Sequence, residues 1–393
     1  MKIAIINNLN FGSTGNLSLT LKQFLTKKGF DVRFFHAFGK KKDGMYRFSN
    51  NLNLKINRIL SLLGANRYEG LKHPTRILLR MLDEYKPDLI NIQCLNIGSV
   101  NLRLLFNYIK KRNIPVIATC HAFFYSTGNC GHPINGCTKY LDGCVGCEYR
   151  IIASKSLFRK TSTNFIQMKE WFTGANIHFT AVSDYVANVT KTSPLTKDFD
   201  SDTTLNSIDT SIFHFRGREH NEGDKKVRVL FTSSDIKGKL KGFNYFLDLL
   251  ERFKDEEDFI FYFVGKAKIT TNNPNFVNLG FKHSREEMAK AYQGSDLTIM
   301  LSKEETFGMP IAESLCCGTP VAFFKCGGTE SMTIKEFSEE IEHGDLEALA
   351  QYIISKKYLF INKSKIAQKA QRKFDVDIVN ENYLKLINKM VKR

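Results

Sequence analysis

The chain has 393 residues, 42% of them hydrophobic and 25% charged, which is ordinary for a globular protein of about two domains. No apolar run approaches the ~20 residues that a membrane span needs, and residues 1–8 have the pattern of a first strand, so we expect a cytoplasmic protein. The net charge of +17 favours anionic partners. No basic stretch is interleaved with aromatic residues in the manner of a nucleic-acid platform, so nucleic acid is not an expected partner.

Strand and helix patterns alternate along the chain. Short apolar runs predict strands at 3–6, 31–35, 88–93, 116–119, 178–182, 227–231, 259–264, 275–279, 297–301 and 321–324. Helical spacing predicts helices between them, with a polar stretch around 195–204. Two such runs predict an α/β protein with doubly wound parallel sheets in residues 1–198 and 199–374, and a C-terminal helix in 375–393 that packs back on the first domain. Ligands of such sheets bind outside the carboxyl ends of the strands.

Residues 52–63 predict an amphipathic helix with two interpretations. A core-facing helix is favoured, and a membrane-surface helix is the alternative. The apolar positions are Leu52, Ile56, Ile59, Leu60 and Leu63, and the basic ones are Lys55 and Arg58.

The first domain contains two candidate ligand-binding positions at strand ends. Gly12 and Gly15 follow the first strand, where glycines allow the backbone to approach an anionic ligand at a helix N-terminus. The third glycine of a dinucleotide fingerprint is missing and no acidic residue ends the second strand, which argues against an NAD enzyme. His121 ends the strand at 116–119, where it is either a structural residue or a ligand contact.

A cysteine-rich insert occupies residues 128–148. Cys144 and Cys147 have the spacing of a metal knuckle, and Cys130 and Cys137 would complete a tetrahedral zinc site. A structural zinc site and ordinary reduced cysteines both fit this pattern. The other five cysteines lie in apolar strands and helices and are expected in the core.

The second domain carries the strongest motif. Glu305 follows the apolar run 297–301, and Gly308 leads into a helix that contains Glu313. A helix N-terminus binds anions, and flanking carboxylates accept hydrogen bonds from sugar hydroxyls. Together they indicate a nucleotide sugar. Lys237 and Lys241 follow the first strand of the same domain and offer cations for a diphosphate.

The two glutamates, separated by seven residues, resemble the Glu-x7-Glu signature of family 4 retaining glycosyltransferases with the GT-B fold. In that fold two Rossmann-like domains face a central cleft. The resemblance covers nearly the whole chain, because segments 206–209, 264–265 and 327–330 also resemble family motifs in the right order. Ala122 stands where the family often has Asp, and residues 233–235 lack the family's arginine, for which Lys237 is a substitute.

The resemblance implies a role for each candidate residue. Glu305 and His121 would hold the transferred sugar, Glu313 the ribose, and Lys241 with Lys237 the diphosphate. The donor site would also include Phe307, Gly308, Met309, Gly265, Gly12 and Gly15. No cofactor is required by this scheme, since Lys241 would do what a divalent ion does in other folds.

The resemblance also implies the partners. We expect a nucleotide-sugar donor, with UDP favoured, and a glycan or lipid-linked acceptor of surface polysaccharide synthesis. An anionic membrane surface is a further expected partner, at the inner face of the plasma membrane. The alternatives are a UDP-sugar 2-epimerase of the same fold and, less favoured, a basic nucleic-acid-binding protein.

Overall fold

The computed structural model describes residues 1–40, 43–128, 130–132, 136–149, 156–158, 160–217, 226–233 and 240–392. The chain divides into two compact units. The first consists of Met1–Thr204 with Asn380–Arg393, and the second of Leu205–Val379.

The first unit is built on a seven-stranded parallel sheet. Its strands are β1 Lys2–Leu9, β2 Asp31–Phe38, β3 Met45–Arg47, β4 Leu89–Cys94, β5 Val116–Cys120, β6 Ile177–Ala181 and β7 Asp200–Thr203. The spatial order is β3-β2-β1-β4-β5-β6-β7. The order reverses direction between β1 and β4, the kind of switch point where doubly wound sheets bind ligands. Residues 200–203, within the polar stretch of the sequence, form the edge strand β7.

The helices of the first unit alternate with these strands. They are α1 Gly12–Lys27, α2 Asn51–Leu62, α3 Lys72–Tyr85, α4 Leu102–Arg112, α5 Thr161–Phe172 and α6 Asp184–Thr192. Helix α6 is capped by Ser183, whose hydroxyl accepts a hydrogen bond from the backbone N–H of Val186 at 3.4 Å.

The second unit repeats the architecture with six parallel strands. These are β8 Val227–Ser233, β9 Phe259–Gly265, β10 Phe276–Asn278, β11 Leu297–Met300, β12 Val321–Phe324 and β13 Ser338–Ile341, in the spatial order β10-β9-β8-β11-β12-β13. Its helices are α7 Phe243–Arg252, α8 Arg285–Gln293, α9 Met309–Cys316, α10 Leu346–Ser355 and α11 Lys363–Phe374. The predicted doubly wound α/β class is therefore confirmed in both units.

The C-terminal helix α12 spans Val376–Val391. Its residues up to Val379 belong to the second unit, and those from Asn380 onward belong to the first. Beyond that point Tyr383, Leu386 and Ile387 are buried in one core cluster with residues of β1, β2 and β4. Ile378, near the start of the helix, is exposed.

Tyr383 also closes a buried polar network in the first unit. Its hydroxyl accepts hydrogen bonds from the side-chain amides of Asn91 at 3.0 Å and Gln93 at 3.3 Å. It shares a further hydrogen bond with the hydroxyl of Thr119. Burial raises the pKa of Tyr383 to about 12, so the phenol stays neutral. The helix is therefore fixed to β4 and β5 by hydrogen bonds as well as by apolar contact.

One interpretation of the sequence is wrong. The favoured core-facing orientation of the helix at 52–63 does not occur, because the apolar residues of α2 other than the half-buried Leu54 are exposed and its buried residues are Asn57 and Ser61. The helix exists where the spacing predicts it, but it packs with its polar side. In the part of the chain that the structure describes, no helix is both long and apolar enough to cross a bilayer.

The Tyr383 network generates a stability prediction. Tyr383→Phe would leave the amide N–H groups of Asn91 and Gln93 without their phenolic acceptor, at a cost of about 1–3 kcal/mol in the free energy of unfolding. Urea unfolding measures the change. Tyr46→Phe, at a half-buried tyrosine of the same unit, is the matched control and is expected to change stability by less than ~0.5 kcal/mol. Equal stability of Tyr383→Phe and the parent chain would contradict the structural role of the network.

Candidate functional site

The segment between β11 and α9 forms the centre of the candidate site. Glu305 follows the strand at its carboxyl end, and Gly308 caps α9 with a φ of +84°, a conformation that favours glycine. The Phe307 side chain is buried, so the loop is held by packing on one side and leaves its backbone for other contacts. Pro310 lies in the first turn of α9, where the missing N–H costs nothing.

Glu305 is held by a cation and a hydroxyl. Lys241 Nζ lies 2.5 Å from Glu305 Oε1, and the Ser302 hydroxyl donates to the same oxygen at 2.8 Å. The backbone carbonyl of Glu305 accepts from the N–H of Gly328 at 2.9 Å, which ties the loop to the segment after β12. Glu305 is largely buried and Lys241 is partly exposed. The site therefore contains a carboxylate and a cation in contact, with the cation accessible.

Lys241 is positioned by a close approach of two loops. Gly242 has a φ of +69°, and a Cβ added there would lie 1.8 Å from the backbone oxygen of Leu301. The N–H of Lys303 donates to the carbonyl of Leu240 at 2.8 Å on the other side of the contact. A side chain at position 242 would separate the loops, so the glycine is required for the ion pair to form.

Glu313 has a different environment on α9. Its Oε2 accepts a hydrogen bond from the hydroxyl of Tyr292 on α8 at 3.0 Å. Burial raises the pKa of Glu313 to about 7, although the Tyr292 hydrogen bond and the charge of Arg285 act in the opposite direction. The carboxyl group therefore changes charge near neutral pH.

Two other predicted donor residues lie in the same unit. Gly265 ends β9, and a Cβ added there would lie 2.4 Å from the backbone oxygen of Ser233 at the end of β8. A glycine is thus required at position 265 because the two strand ends approach each other closely there. Lys237 lies outside the described residues.

His121 lies at the carboxyl end of β5 in the first unit. Its Nε2 is 2.8 Å from the side-chain oxygen of Gln93, while the amide of Gln93 donates to Asn91 and Thr119. This orientation of Gln93 assigns the proton to Nε2. Burial lowers the pKa of His121 to about 4, so the ring is neutral at neutral pH.

A cavity of about 680 Å³ lies in the first unit near the glycine turn. Its lining comes from the carboxyl ends of β1, β2 and β3 and from the start of α2: Asn10, Phe11, Ala37, Phe38, Gly39, Lys40, Arg47, Asn50 and Asn51. Gly12 begins α1 directly after this lining. A Cβ on Gly15 would lie 2.9 Å from the backbone of Asn10, so this glycine allows α1 to pack closely on the end of β1.

The four insert cysteines come together around one small cavity. Cys130, Cys137, Cys144 and Cys147 line a space of about 20 Å³. Burial raises the pKa of the Cys144 thiol to about 11, and its sulfur accepts the N–H of Gly128 at 3.2 Å. Even so, the described residues include no three His, Cys, Asp or Glu side chains arranged to hold a metal ion. The zinc site stays a prediction. The other five cysteines are buried, as expected.

The structure brings some predicted residues together and adds others. Lys241 and Glu305 are in contact, and Glu313 follows on the same loop and helix. Ser302, Tyr292 and Gln93 were not among the sequence predictions. Ser302 and Gln93 had a usable signal, because each is a polar residue at the carboxyl end of a buried strand. Tyr292 had none, since an aromatic residue in a helix predicts packing alone.

Comparison with known proteins finds a family match within the second unit. A family model described as "Glycosyl transferases group 1" matches residues 226–355, which include Lys241, Glu305 and Glu313. This part of the second unit is thus similar to the group 1 glycosyltransferases. A curated relative from Campylobacter jejuni, N,N'-diacetylbacillosaminyl-diphospho-undecaprenol alpha-1,3-N-acetylgalactosaminyltransferase, is 22% identical over 176 residues, or 43% of this chain. The chain spans 46% of that relative's length.

Solved glycosyltransferase structures share the fold over both units. A sucrose-phosphate synthase from Thermosynechococcus elongatus matches with a TM-score of 0.72 and 14% identity, covering 100% of this chain and 99% of the other. HepE from Anabaena, solved with UDP and glucose, matches with a TM-score of 0.65 and 14% identity over 99% of this chain and 100% of its own. The predicted GT-B fold and the resemblance to its glycosyltransferases are confirmed.

The raised pKa of Glu313 generates a prediction for the ligand-free protein. Below the ordinary carboxyl pKa of about 4.5 both states are protonated, and the folded state keeps its proton up to about pH 7. The contribution to stability is therefore full at low pH and is lost as the pH rises to 7. Glu313→Gln should remove this slope from the unfolding midpoint between pH 5 and 7, measured relative to the parent chain.

The exposed carboxyl Glu251 on α7 provides the control, because Glu251→Gln should leave the slope unchanged. Parallel curves for the parent chain and Glu313→Gln would show that Glu313 titrates as an ordinary carboxyl.

Proposed function

We propose that this chain is a retaining glycosyltransferase that moves a sugar from a nucleotide diphosphate sugar to a hydroxyl group of a glycan or lipid-linked acceptor. The observation that carries the proposal is the Lys241–Glu305 pair beside the Gly308 turn and the N-terminus of α9. A UDP-sugar is the favoured donor, because HepE of this fold was solved with UDP-glucose. The proposed setting is surface polysaccharide synthesis, since WaaG, which shares the fold, is a glycosyltransferase involved in lipopolysaccharide biosynthesis.

In this proposal two carboxylates and one cation bind different parts of the nucleotide-sugar donor. Glu313 accepts hydrogen bonds from the ribose hydroxyls, and Glu305 accepts them from the transferred sugar. Lys241 binds the diphosphate together with the backbone N–H groups at the start of α9, which form a partial positive charge. Lys237 adds a second cation, and Phe307, Gly308, Met309 and Gly265 contribute backbone close to the donor.

Catalysis then consists of positioning and charge stabilisation. The bond from the anomeric carbon to the diphosphate oxygen breaks, and the acceptor oxygen forms its bond on the same face of the sugar. The acceptor's proton leaves with the diphosphate. Lys241 stabilises the negative charge that develops on the leaving group, so transfer proceeds without a divalent ion.

In this proposal the acceptor binds to the first unit. The cavity lined by Lys40, Arg47 and several side-chain amides suits an acceptor that carries both phosphate and hydroxyl groups. The Campylobacter jejuni relative is named for a diphospho-undecaprenol acceptor. His121, held neutral by burial, is a hydrogen-bonding group for the donor sugar. The protein would work in the cytoplasm at an anionic membrane surface.

Nucleotide binding tests the donor site. We expect UDP to raise the thermal unfolding midpoint, with a smaller effect from GDP, ADP, CDP and NAD. Lys241→Ala should weaken UDP binding about tenfold or more and leave uridine binding unchanged, because only UDP carries the diphosphate. Glu313→Ala should weaken both ligands. Lys254→Ala, at an exposed lysine of the same unit, is the control and should change neither.

A chain that binds none of these nucleotides would end the transferase proposal. Equal weakening of UDP and uridine by Lys241→Ala would instead remove the diphosphate role from Lys241.

Product analysis tests the reaction. With a UDP-sugar and a lipid-linked acceptor we expect free UDP and a glycoside that keeps the donor's anomeric configuration, both in the presence of a chelator. Glu305→Gln should reduce the rate by about 100-fold or more, since the interaction with the transferred sugar is lost at the reacting centre. NMR of the product gives the anomer. UDP-sugar isomerised without acceptor would favour the epimerase alternative, and an inverted product would contradict retention.

A further inference from the structure

Helix α2 has an unusual surface for a helix of a globular domain. The exposed fractions of Leu52, Ile59 and Leu63 are 63%, 57% and 67%. Ile56, Leu60 and Leu62 are exposed as well. At about 100° per residue, positions 52, 56, 59, 60 and 63 lie within one third of the helix circumference. The helix therefore presents a continuous apolar stripe to its surroundings.

The polar side of α2 holds it on the protein. Asn57 donates from its side-chain amide to the backbone oxygens of Arg67 at 3.2 Å and Gly98 at 2.8 Å. Asn57 and Ser61 are buried on this side, and Asn50 caps the helix by accepting the N–H of Asn53 at 2.9 Å. Turning the apolar stripe inward would break these buried hydrogen bonds, so the outward orientation is fixed.

A neighbouring segment extends the apolar stripe. The N–H of Leu157 donates to the carbonyl of Leu62 at 3.2 Å, and both Leu157 and Phe158 are exposed. The Phe158 ring lies against Gly64, where an added Cβ would be 3.0 Å from the ring. We call the exposed apolar side chains of α2, Leu63, Leu157 and Phe158 the apolar face.

The charged residues within helix α2 are basic, while Asp43 and Glu69 lie beyond its two ends in the sequence. The sequence from Gly44 to Tyr68 contains Arg47, Lys55, Arg58 and Arg67 but no Asp or Glu. Lys55 and Arg58 are exposed on α2, and Arg47 lines the cavity at whose rim the helix begins. A second copy of this chain would bring the same exposed cations, Lys55 and Arg58, to the contact, whereas an anionic lipid surface complements them.

From this combination we propose that the apolar face docks into the interface of an anionic bilayer. The apolar side chains enter the boundary between headgroups and acyl chains, and Lys55 and Arg58 pair with lipid phosphates. Because Asn50 and Asn51 belong to both the helix start and the cavity lining, docking places the cavity at the level of the phosphate headgroups. The inference deepens the proposed function and rests on it for the lipid-linked acceptor.

Vesicle binding tests the proposal without donor or acceptor. The full chain is sedimented with vesicles of phosphatidylcholine alone or of phosphatidylcholine mixed with phosphatidylglycerol. We expect at least about tenfold stronger binding to the anionic vesicles, with a loss at high salt. Ile59→Gln/Leu63→Gln should weaken binding to them about tenfold or more, and Lys55→Gln/Arg58→Gln should remove most of the preference for anionic lipid.

The control is Phe360→Gln, an exposed apolar residue of the second unit, which should bind like the parent chain. Thermal midpoints with and without UDP show that each variant folds. No binding by the parent chain, or equal binding by all variants, would overturn the proposal. So would a dimer, seen by light scattering, that Ile59→Gln/Leu63→Gln converts to a monomer without any vesicle binding by the parent chain.

The two proposals fail separately in this design. Vesicle binding without a nucleotide-dependent midpoint shift would leave the apolar face as a membrane surface and end the transferase proposal. A midpoint shift with UDP but no vesicle binding would end the membrane proposal and leave the transferase proposal in place.

Discussion

The ion pair between Lys241 and Glu305 is the constraint on which the candidate site depends. It joins the loop before α7 to the loop after β11, and it forms only because Gly242 lets the backbone pass against Leu301. In the absence of a ligand the carboxylate compensates the cation, which keeps a partly exposed lysine in place without an isolated charge. Lys241 is therefore already positioned before a diphosphate binds. The diphosphate would either displace Glu305 from the lysine or bind the lysine together with it.

A second acid–base pair in the same unit shows what a purely structural pair looks like. Lys363 Nζ lies 3.0 Å from Asp296 Oδ1, both side chains are almost fully buried, and Asp296 also accepts the N–H of Arg228 at 3.0 Å. That pair connects α11 to the amino end of β11, away from the strand ends that bind ligands in such sheets. The Lys241 pair differs in both respects: its cation reaches solvent, and it lies at the carboxyl end of β11. Position and exposure, not the presence of an ion pair, separate the two roles.

Much of the fold could be predicted because parallel strands buried on both faces appear as plain apolar runs. For the same reason, Glu305, Lys241 and His121 could be chosen as candidate site residues from the sequence, because each follows such a run. What the sequence could not provide was the partners of these groups. Tyr292 reaches Glu313 from another helix and Tyr383 reaches Gln93 from the end of the chain, and no local pattern encodes contacts of that range. The raised pKa of Glu313 follows from its burial and was equally out of reach.

Helix α2 shows a further limit of periodicity. An amphipathic pattern predicts that a helix has two faces, but it does not determine which face the protein covers. In an ordinary helix the apolar face is covered because burying it is the largest gain available. Here the neighbouring surface offers the backbone oxygens of Arg67 and Gly98, which require donors, and Asn57 provides them. The polar face is therefore the one that packs, and the apolar face is left exposed. An arrangement that is unfavourable in water becomes favourable where another apolar phase covers that face, and the surrounding positive charges limit which phase that is.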